Sequence, residues 1–256
     1  MSDDGRRSTV AVNLRGGSAY LTMDDGARNA MTLEWAADLL EAVRAATVAE
    51  ARIIVLQGNS KSFSVGGDLR SFGESEEPSR YIDDLAEGLH RVISELGRSE
   101  AIVVAAVRGV AAGAGMPLAA AADIIVAEQS ARFTLGYTRI GLSPDGGSTL
   151  LSATVGLHTM LQWTLLNPQL SAAQAQAAGL VARVCEDGGL DEEVERVVAE
   201  LAAVPWQAQV AAKRLIRDRA LPDAETAMRK ESLAVRAAAA QPHSAELIRA
   251  FLDRRA

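Results

Sequence analysis

The stretch AIVVAAVRGVAAGAGMPLAAAADIIVA, residues 101–127, decides the fold of this chain. Its apolar run at residues 102–107 predicts a strand buried on both faces, and a second such run closes the stretch. Between them, Pro117 is tolerated only in the first turn of a helix, so we expect a short helix that begins near Ala114. A strand, a glycine turn and a short helix in this order point backbone N–H groups at whatever lies above the turn. Such donors could bind a phosphate or stabilise a developing oxyanion.

A nucleotide-binding role for these glycines is the first alternative. The pattern Gly109-x-x-x-Gly113-x-Gly115 is similar to the dinucleotide turn of short-chain dehydrogenases. A Rossmann fingerprint needs an acidic residue about 20 residues further on, and Asp123 comes too early for that role. The dehydrogenases also carry Tyr-x-x-x-Lys, and none of the 3 tyrosines here is followed by a lysine at that spacing. The sequence therefore disfavours a nucleotide cofactor.

Length, charge and cysteine content restrict the class of protein. A chain of 256 residues can form one large domain or a domain with an appendage. Its net charge of −7 argues against nucleic acid as the main partner. The single cysteine, Cys185, excludes an internal disulfide and fits a reducing compartment. No signal-peptide pattern and no apolar run of transmembrane length occur, so we expect a cytoplasmic protein without a membrane partner.

The hydrophobic pattern changes near residue 190. Before it, strand patterns alternate with helical ones, starting with two antiparallel strands at residues 9–14 and 18–23. After it, only helical patterns remain. We therefore expect an α/β core over residues 1–190 and a helical region over residues 191–256, which packs on the core or on another subunit.

Three motifs in the chain resemble those of the crotonase (enoyl-CoA hydratase/isomerase) superfamily. Residues 61–69 (KSFSVGGDL) are similar to its first oxyanion-hole loop, and residues 106–115 (AVRGVAAGAG) to its second. Residues 140–147 (IGLSPDGG), followed by Gly-Leu-Val at residues 179–181, match its third landmark. Two weaker matches extend the resemblance over nearly the whole chain: residues 27–31 and 250–255. By the order and spacing of these segments the chain is identified as a member of that superfamily.

The resemblance implies a fold and a kind of substrate. The fold is a spiral of ββα repeats with a C-terminal helical trimerisation region, which would give a homotrimer or a dimer of trimers. The substrate is an acyl-CoA thioester, so coenzyme A enters as part of the substrate, and neither a separate cofactor nor a metal is expected. The shared chemistry is stabilisation of a thioester enolate by two backbone N–H groups. By motif position these donors are Gly67 and Ala114, and the methyl group of Ala114 stands where the family usually has glycine.

The residues expected to move protons depart from those of the hydratases. Hydratases of this superfamily use two glutamates, and the matching positions here are Pro117 and Tyr137, so hydration by the usual mechanism is not expected. Asp145 matches the single acidic base of the Δ3,Δ2-enoyl-CoA isomerases and of the ring-epoxyphenylacetyl-CoA isomerase branch. One carboxylate is enough to take a proton from one carbon and return it two carbons away. The leading prediction is a double-bond isomerase with Asp145 as its proton shuttle.

The position of His90 is compatible with reactions other than isomerisation. Its position resembles that of the base in chlorobenzoyl-CoA dehalogenase, where an aspartate matching Asp145 attacks the ring and an aromatic residue matches Tyr137. The alternative is therefore a hydrolytic dehalogenase or thioesterase, in which Asp145 is nucleophile or base and His90 activates water. An enoyl-CoA hydratase and a catalytically silent acyl-CoA binder remain further alternatives, the latter because of Ala114, Pro117 and Tyr137.

The other expected contacts follow the path of coenzyme A and the subunit interface. Arg28 matches a position near the CoA phosphates, and Lys213 and Phe251 on C-terminal helices are expected to touch coenzyme A from the same or a neighbouring subunit. The residues expected to line the adenine, pantetheine and acyl path are Ser64, Val65, Gly66, Asp68, Leu69 and Tyr137. The residues expected to be buried between subunits are Leu215, Met228 and Leu233.

Overall fold

The apolar strand that precedes the glycine turn lies inside a six-stranded sheet. The structure is a computed structural model that describes residues 8–254. The strands of this sheet are β1 (Val10–Arg15), β2 (Ser18–Met23), β4 (Ile53–Gln57), β6 (Ile102–Val107), β8 (Ile124–Glu128) and β11 (Arg183–Cys185). They lie in the order β1-β2-β4-β6-β8-β11, with β1 antiparallel to β2 and every other pair parallel. All of β6 is buried, which confirms the prediction of a strand covered on both faces.

Short strands form two smaller sheets beside the large one. The first contains β7 (Val110–Ala112), β9 (Arg132–Thr134) and β10 (Leu170–Ser171), with β9 in the middle. The second pairs β3 (Ala30–Met31) with β5 (Gly66–Gly67) in parallel. Successive passes of the chain thus place a long strand in the large sheet, a short strand in a small sheet and then a helix. This repeat is the spiral that the resemblance implies.

The helices follow the predicted pattern, including the four that end the chain. They are α1 (Leu33–Val48), α2 (Leu69–Glu74), α3 (Pro78–Arg98), α4 (Gly115–Ala120), α5 (Ser152–Val155), α6 (Leu157–Leu166), α7 (Ala172–Ala177), α8 (Leu190–Ala202), α9 (Trp206–Ala220), α10 (Ala224–Ala239) and α11 (Pro242–Asp253). The Thr32 hydroxyl caps α1 by accepting the Trp35 N–H, and Ser171 with Gln174 forms a capping box on α7. Because α4 begins after Ala114, Pro117 lies in its first turn as predicted.

The helices cover both faces of the large sheet. On one face, α1 and α3 pack Trp35, Leu39 and Leu96 into the main core. On the other face, α8 packs Leu190, Val194 and Val197 against the outward side chains of the central strands. The helical region after residue 190 is thus joined to the core by burial of apolar surface within one chain. None of the described helices has the length and apolar character needed to cross a membrane.

One expectation about the subunit interface is wrong. Met228 was expected between subunits, but it is 3% exposed within the single chain, because α10 packs along α3 and turns this side chain inward. Leu215 and Leu233 remain exposed in the single chain.

Candidate active site

Two loops that are far apart in sequence lie against each other above the sheet. Ser64 donates its N–H to Val110 O at 3.0 Å and accepts the Ala112 N–H at 2.9 Å. A β-carbon added at Gly115 would lie 2.6 Å from Ser64 O, so this close approach requires glycine. As a result, Gly67 from the first loop and Ala114 from the second line the same cavity.

The environment of Ala114 leaves a backbone donor at this cavity. The preceding N–H, of Gly113, is used by Thr134 O, and the Met116 N–H is used by Gly113 O. Within residues 8–254, the Ala114 N–H has no backbone acceptor. The Ala114 methyl group lies beside Gly146, where an added β-carbon would be 3.4 Å from it. The Ala114 N–H therefore stays available at the cavity, and the Ala114 methyl group packs against Gly146.

The cavity has a volume of about 410 Å³, a size typical of small-molecule sites. Its walls are mostly apolar, and they come from α3, the loop before Asp145 and the C-terminal helices. The apolar side chains are Ile82, Leu85, Leu89, Leu142, Val235, Phe251 and Leu252. Two exposed arginines, Arg28 and Arg139, also border the cavity. The site therefore combines an apolar chamber with basic groups at its solvent side, which suits an acyl chain joined to an anionic carrier.

Asp145 is the buried carboxylate of this cavity. It is 7% exposed, and its backbone carbonyl accepts the Tyr137 hydroxyl at 2.9 Å and the Ser148 hydroxyl at 2.5 Å. These bonds fix the backbone that carries the carboxylate. Asp145 Oδ1 lies 3.1 Å from His90 Nε2, and His90 does not line the cavity. Asp145 thus stands between the cavity and the imidazole.

Glu231, on α10, is the residue that the sequence analysis missed. It is 3% exposed, and its Oε2 lies 3.8 Å from His90 Nε2. The same carboxylate accepts the Gly147 N–H and the Thr149 N–H, each at 2.7 Å. It therefore ties the loop that carries Asp145 to a C-terminal helix. A signal was present, because Glu231 falls on the buried face of α10 between Met228 and Val235.

These charges determine the protonation of the histidine. Burial lowers the pKa of His90, but the Asp145 and Glu231 carboxylates outweigh burial and raise the pKa to about 9. His90 is therefore an imidazolium at neutral pH. Burial, followed by the charge of Asp145, raises the pKa of the Tyr137 phenol well above its ordinary value, so Tyr137 stays a neutral hydroxyl.

The same three groups could in principle bind a cation. His90, Asp145 and Glu231 each offer one ligand atom, and these atoms lie within 4.8 Å of one another. One imidazole and two carboxylates are ligands for several divalent metals. However, both oxygens of Glu231 already accept hydrogen bonds from Gly147 and Thr149. The charge of the imidazolium by itself explains why the two carboxylates lie together.

The structure brings most of the expected ligand-binding residues to the cavity. Val65, Asp68, Leu69, Tyr137, Arg28 and Phe251 all line it. The Asp68 carboxylate also caps α2 by accepting the Arg70 N–H at 3.1 Å. Arg139 is a bordering cation that the sequence analysis did not single out.

Three expected contacts need correction. Ser64 and Gly66 are buried and do not line the cavity, because the Ser64 hydroxyl donates to Asn29 O at 2.6 Å and accepts the Gly66 N–H. Lys213 is buried on α9, where its ammonium lies 2.9 Å from Asp123 and donates to Ala101 O at 2.7 Å. These partners hold the Lys213 charge away from the cavity, so it does not contribute to the basic rim in this chain.

Comparisons with known proteins agree with this geometry. The sequence model of the family described as enoyl-CoA hydratase/isomerase matches residues 14–256. The chain is 34% identical to 1,2-epoxyphenylacetyl-CoA isomerase of Escherichia coli, over 60% of each protein. It is 31% identical to 4-chlorobenzoyl coenzyme A dehalogenase-1 of an Arthrobacter species, over 77% of this chain and 73% of the dehalogenase. A solved enoyl-CoA hydratase from Mycobacterium avium subsp. paratuberculosis superposes with a TM-score of 0.87 at 29% identity, covering 96% of each chain.

Proposed function

Since the chain belongs to the enoyl-CoA hydratase/isomerase family, we propose that it shifts a double bond in an acyl-CoA thioester, with Asp145 carrying the proton. The observation that supports this proposal best is the position of Asp145. Its buried carboxylate lines the cavity next to Ala114, and His90 lies behind it. A base at this position can reach an acyl chain whose thioester oxygen is bound by backbone donors.

The reaction follows from these groups. The Gly67 and Ala114 N–H groups bind the thioester oxygen, where negative charge develops in the transition state. Asp145 takes a proton from the carbon next to the thioester, and the C–H electron pair moves into the enolate. The resulting dienolate then takes the same proton from Asp145 two carbons further along the chain. The double bond moves into conjugation, and no water is consumed.

Hydration is a poorer fit to the side chains. The positions of the two hydratase glutamates hold Pro117, which is buried within α4, and Tyr137. The Tyr137 hydroxyl donates to Asp145 O and does not carry a charge that could activate water. A single carboxylate between the cavity and an imidazolium is better suited to taking a proton from the acyl chain and returning it than to adding water.

The test is the substitution Asp145→Asn, assayed with a set of 3-enoyl-CoA thioesters. Asparagine keeps the shape but lacks a usable basic group, so turnover should fall by roughly 10²- to 10⁴-fold with little change in ligand affinity. Asp84→Asn, an exposed position on α3, is the control and should leave turnover unchanged. An Asp145→Asn protein as active as the original would refute the proposed role.

One observation favours a second candidate, a hydrolytic reaction. His90 Nε2 lies 3.1 Å from Asp145 Oδ1, and a relative that is 31% identical is named as a chlorobenzoyl-CoA dehalogenase. If Asp145 formed an anhydride with the acyl group, releasing coenzyme A, or an ester with a chloroaryl group, releasing chloride, its charge would vanish. His90 would then lose a proton more readily and could activate water. Against this, both ring nitrogens of His90 already face other groups.

Turnover in water enriched in oxygen-18 separates the two reactions. An isomerase leaves its product without the heavy isotope, whereas a hydrolase incorporates it. Label in the product, together with a severe loss of turnover in His90→Gln, would favour hydrolysis over the proposed isomerisation.

A further inference from the structure

His90 is approached from two sides. Its Nε2 faces Asp145 and, through it, the acyl cavity. The opposite side of the ring borders a separate cleft of about 300 Å³ between α1, α3 and α10. The imidazole thus connects the buried carboxylate with a second opening that an acyl-CoA in the main cavity would not fill.

A short chain of polar groups leads from His90 into this second cleft. Ser232, buried on α10, places its Oγ 3.3 Å from His90 Nδ1. The same hydroxyl donates to Glu87 Oε1 at 3.1 Å, with a more distant contact to Met228 O at 3.5 Å. Arg229 in turn donates to Glu87 Oε1 at 2.7 Å.

The directions of these hydrogen bonds follow from counting hydrogens. Glu87 Oε1 and Met228 O can only accept, and the Ser232 hydroxyl donates to Glu87 Oε1 at 3.1 Å, so its single hydrogen is used there. The Ser232 oxygen must then accept from His90, which requires a hydrogen on Nδ1. On the other side, Nε2 faces only carboxylate oxygens, of Asp145 and Glu231, and therefore also needs a hydrogen.

We propose that Ser232 and Glu87 are positioning residues that hold His90 in its doubly protonated form as the charge partner of Asp145. Ser232 fixes the ring by accepting the Nδ1 hydrogen, and Glu87 orients the Ser232 hydroxyl and adds a negative charge on that side. Burial raises the pKa of Glu87, but hydrogen bonds from Arg229 and Ser232, and the charges of Arg229 and His90, lower it below its ordinary value. Glu87 is therefore a carboxylate when His90 is charged. The catalytic consequence rests on the proposed role of Asp145, whereas the protonation of His90 does not.

Other charged groups around the His90 ring also affect its protonation. The charged groups that border the ring or its cleft come from four parts of the chain. They are Arg44 on α1, Glu87, Arg91, Glu95 and Arg98 on α3, Asp145 in its loop, and Glu225, Arg229 and Glu231 on α10. Asp145, Glu231 and Ser232 are the groups closest to the ring nitrogens, and Glu87 acts through Ser232.

The experiment is a pH titration of the free protein by NMR, with histidine labelled with carbon-13 in the ring. The chain has 3 histidines. His158 and His243 are exposed and His90 is buried, so the NMR signal of His90 can be distinguished from the other two. Ser232→Ala should lower the titration midpoint of His90 by about one pH unit, because a hydrogen bond to the charged form is lost. Ser232→Thr keeps the hydroxyl and should restore the midpoint. Glu87→Gln should shift it in the same direction by a smaller amount.

Glu95→Gln is the matched control, since Glu95 lies on α3 in the same cleft but pairs with Arg44. It should leave the His90 midpoint unchanged. Because Glu87 is partly exposed, Glu87→Gln removes the charge without opening the core. An unchanged His90 midpoint in both Ser232→Ala and Glu87→Gln would overturn the proposal.

Enzyme kinetics supply a second measurement. The alkaline limb of the kcat profile should move to lower pH with the NMR midpoint in Ser232→Ala. If the midpoint moves but the original protein does not isomerise 3-enoyl-CoA thioesters, the proposed function fails and the assignment of Ser232 stands. If isomerisation occurs and the midpoint does not move, the assignment fails and the proposed function stands.

Discussion

At the scale of single residues, the site is a balance between one buried cation and two buried carboxylates. His90 is 6% exposed, and Asp145 and Glu231 are buried as well. Taking charges out of water is costly unless they are paired and hydrogen-bonded. The three charges are paired with one another, because His90 lies between Glu231, Asp145 and Ser232, and Glu231 also accepts two backbone N–H groups.

The first prediction concerns the pH dependence of stability. The His90 pKa is raised from 6.5 to about 9, so between these values the folded state binds more protons than the unfolded state. The resulting stabilisation is complete below pH 6.5 and is lost as the pH rises through about 9. We expect the loss to be on the order of 3 kcal/mol. Urea unfolding across this range measures it, with His90→Gln as the reference. Equal pH slopes in the two proteins would contradict the prediction.

The second prediction concerns the contact between the two loops. In Gly115→Ala the new methyl group would lie 2.6 Å from Ser64 O, so the loops must separate. We expect a loss of about 1–3 kcal/mol in the free energy of unfolding, together with loss of turnover because Gly67 and Ala114 move apart. Gly73→Ala is the control, because an added β-carbon on α2 meets no atom within 4 Å. Thermal unfolding and turnover are the measurements, and a fully active, stable Gly115→Ala protein would refute this account.

At the scale of elements, the C-terminal helices complete a site that the spiral begins. Helix α3 carries His90, and α10, packed along it, carries Glu231 and Ser232. Helix α11 adds Phe251 and Leu252 to the cavity wall. Helix α9 anchors the helical region to the sheet, because Lys213 and Arg217 both contact the Asp123 carboxylate, which also accepts the Val103 N–H.

The third prediction tests that anchor. Lys213→Met removes a buried ammonium and leaves Ala101 O without its donor. We expect a loss of roughly 3 kcal/mol in the free energy of unfolding and an unchanged KM for the acyl-CoA. Arg214→Ala, which breaks an exposed pair with Glu100, should cost less than about 1 kcal/mol. A raised KM at full stability in Lys213→Met would instead support the contact with coenzyme A that the sequence analysis expected.

At the scale of the whole molecule, large apolar side chains remain exposed on α6 and on the C-terminal helices. Leu157, Leu161 and Leu165 are 64%, 44% and 66% exposed and recur every four residues on one face of α6. Leu215, Ile216 and Leu233 of the C-terminal helices are also exposed. Apolar surface of this kind is typical of protein interfaces. The homotrimer, or dimer of trimers, therefore stays a prediction, and these exposed side chains are the candidate contacts between its subunits.

The fourth prediction is that the protein assembles at micromolar concentration. Sedimentation velocity should report a trimer or a hexamer. A double substitution of Leu161 and Leu165 by lysine should shift the distribution toward smaller species, because charges on α6 would oppose burial. The control is Leu14→Lys, an exposed leucine on the edge strand β1 and outside the helices that carry the candidate surfaces, which should leave the assembly intact. A monomeric wild-type protein would contradict the prediction.

The sequence by itself determined the elements and the loops of the site. The buried strand β6, the start of α4 next to Pro117 and the four C-terminal helices follow from apolar periodicity, proline geometry and helix caps, which are local in the chain. The motifs around Gly67, Ala114 and Asp145 also lie in short segments, so their shared cavity could be expected from the resemblance to a known family.

Only the tertiary structure decided the charges around Asp145. Glu231 lies 86 positions after Asp145 along the chain, and no local pattern relates its register on α10 to that of His90 on α3. The packing of α10 along α3 brings them together, and the resulting low exposure makes each charge depend on the others. Packing of α9 on the sheet decides that Lys213 is an internal anchor, and packing of α10 along α3 decides that Met228 belongs to the core. A helical pattern shows which face is buried but not what covers it.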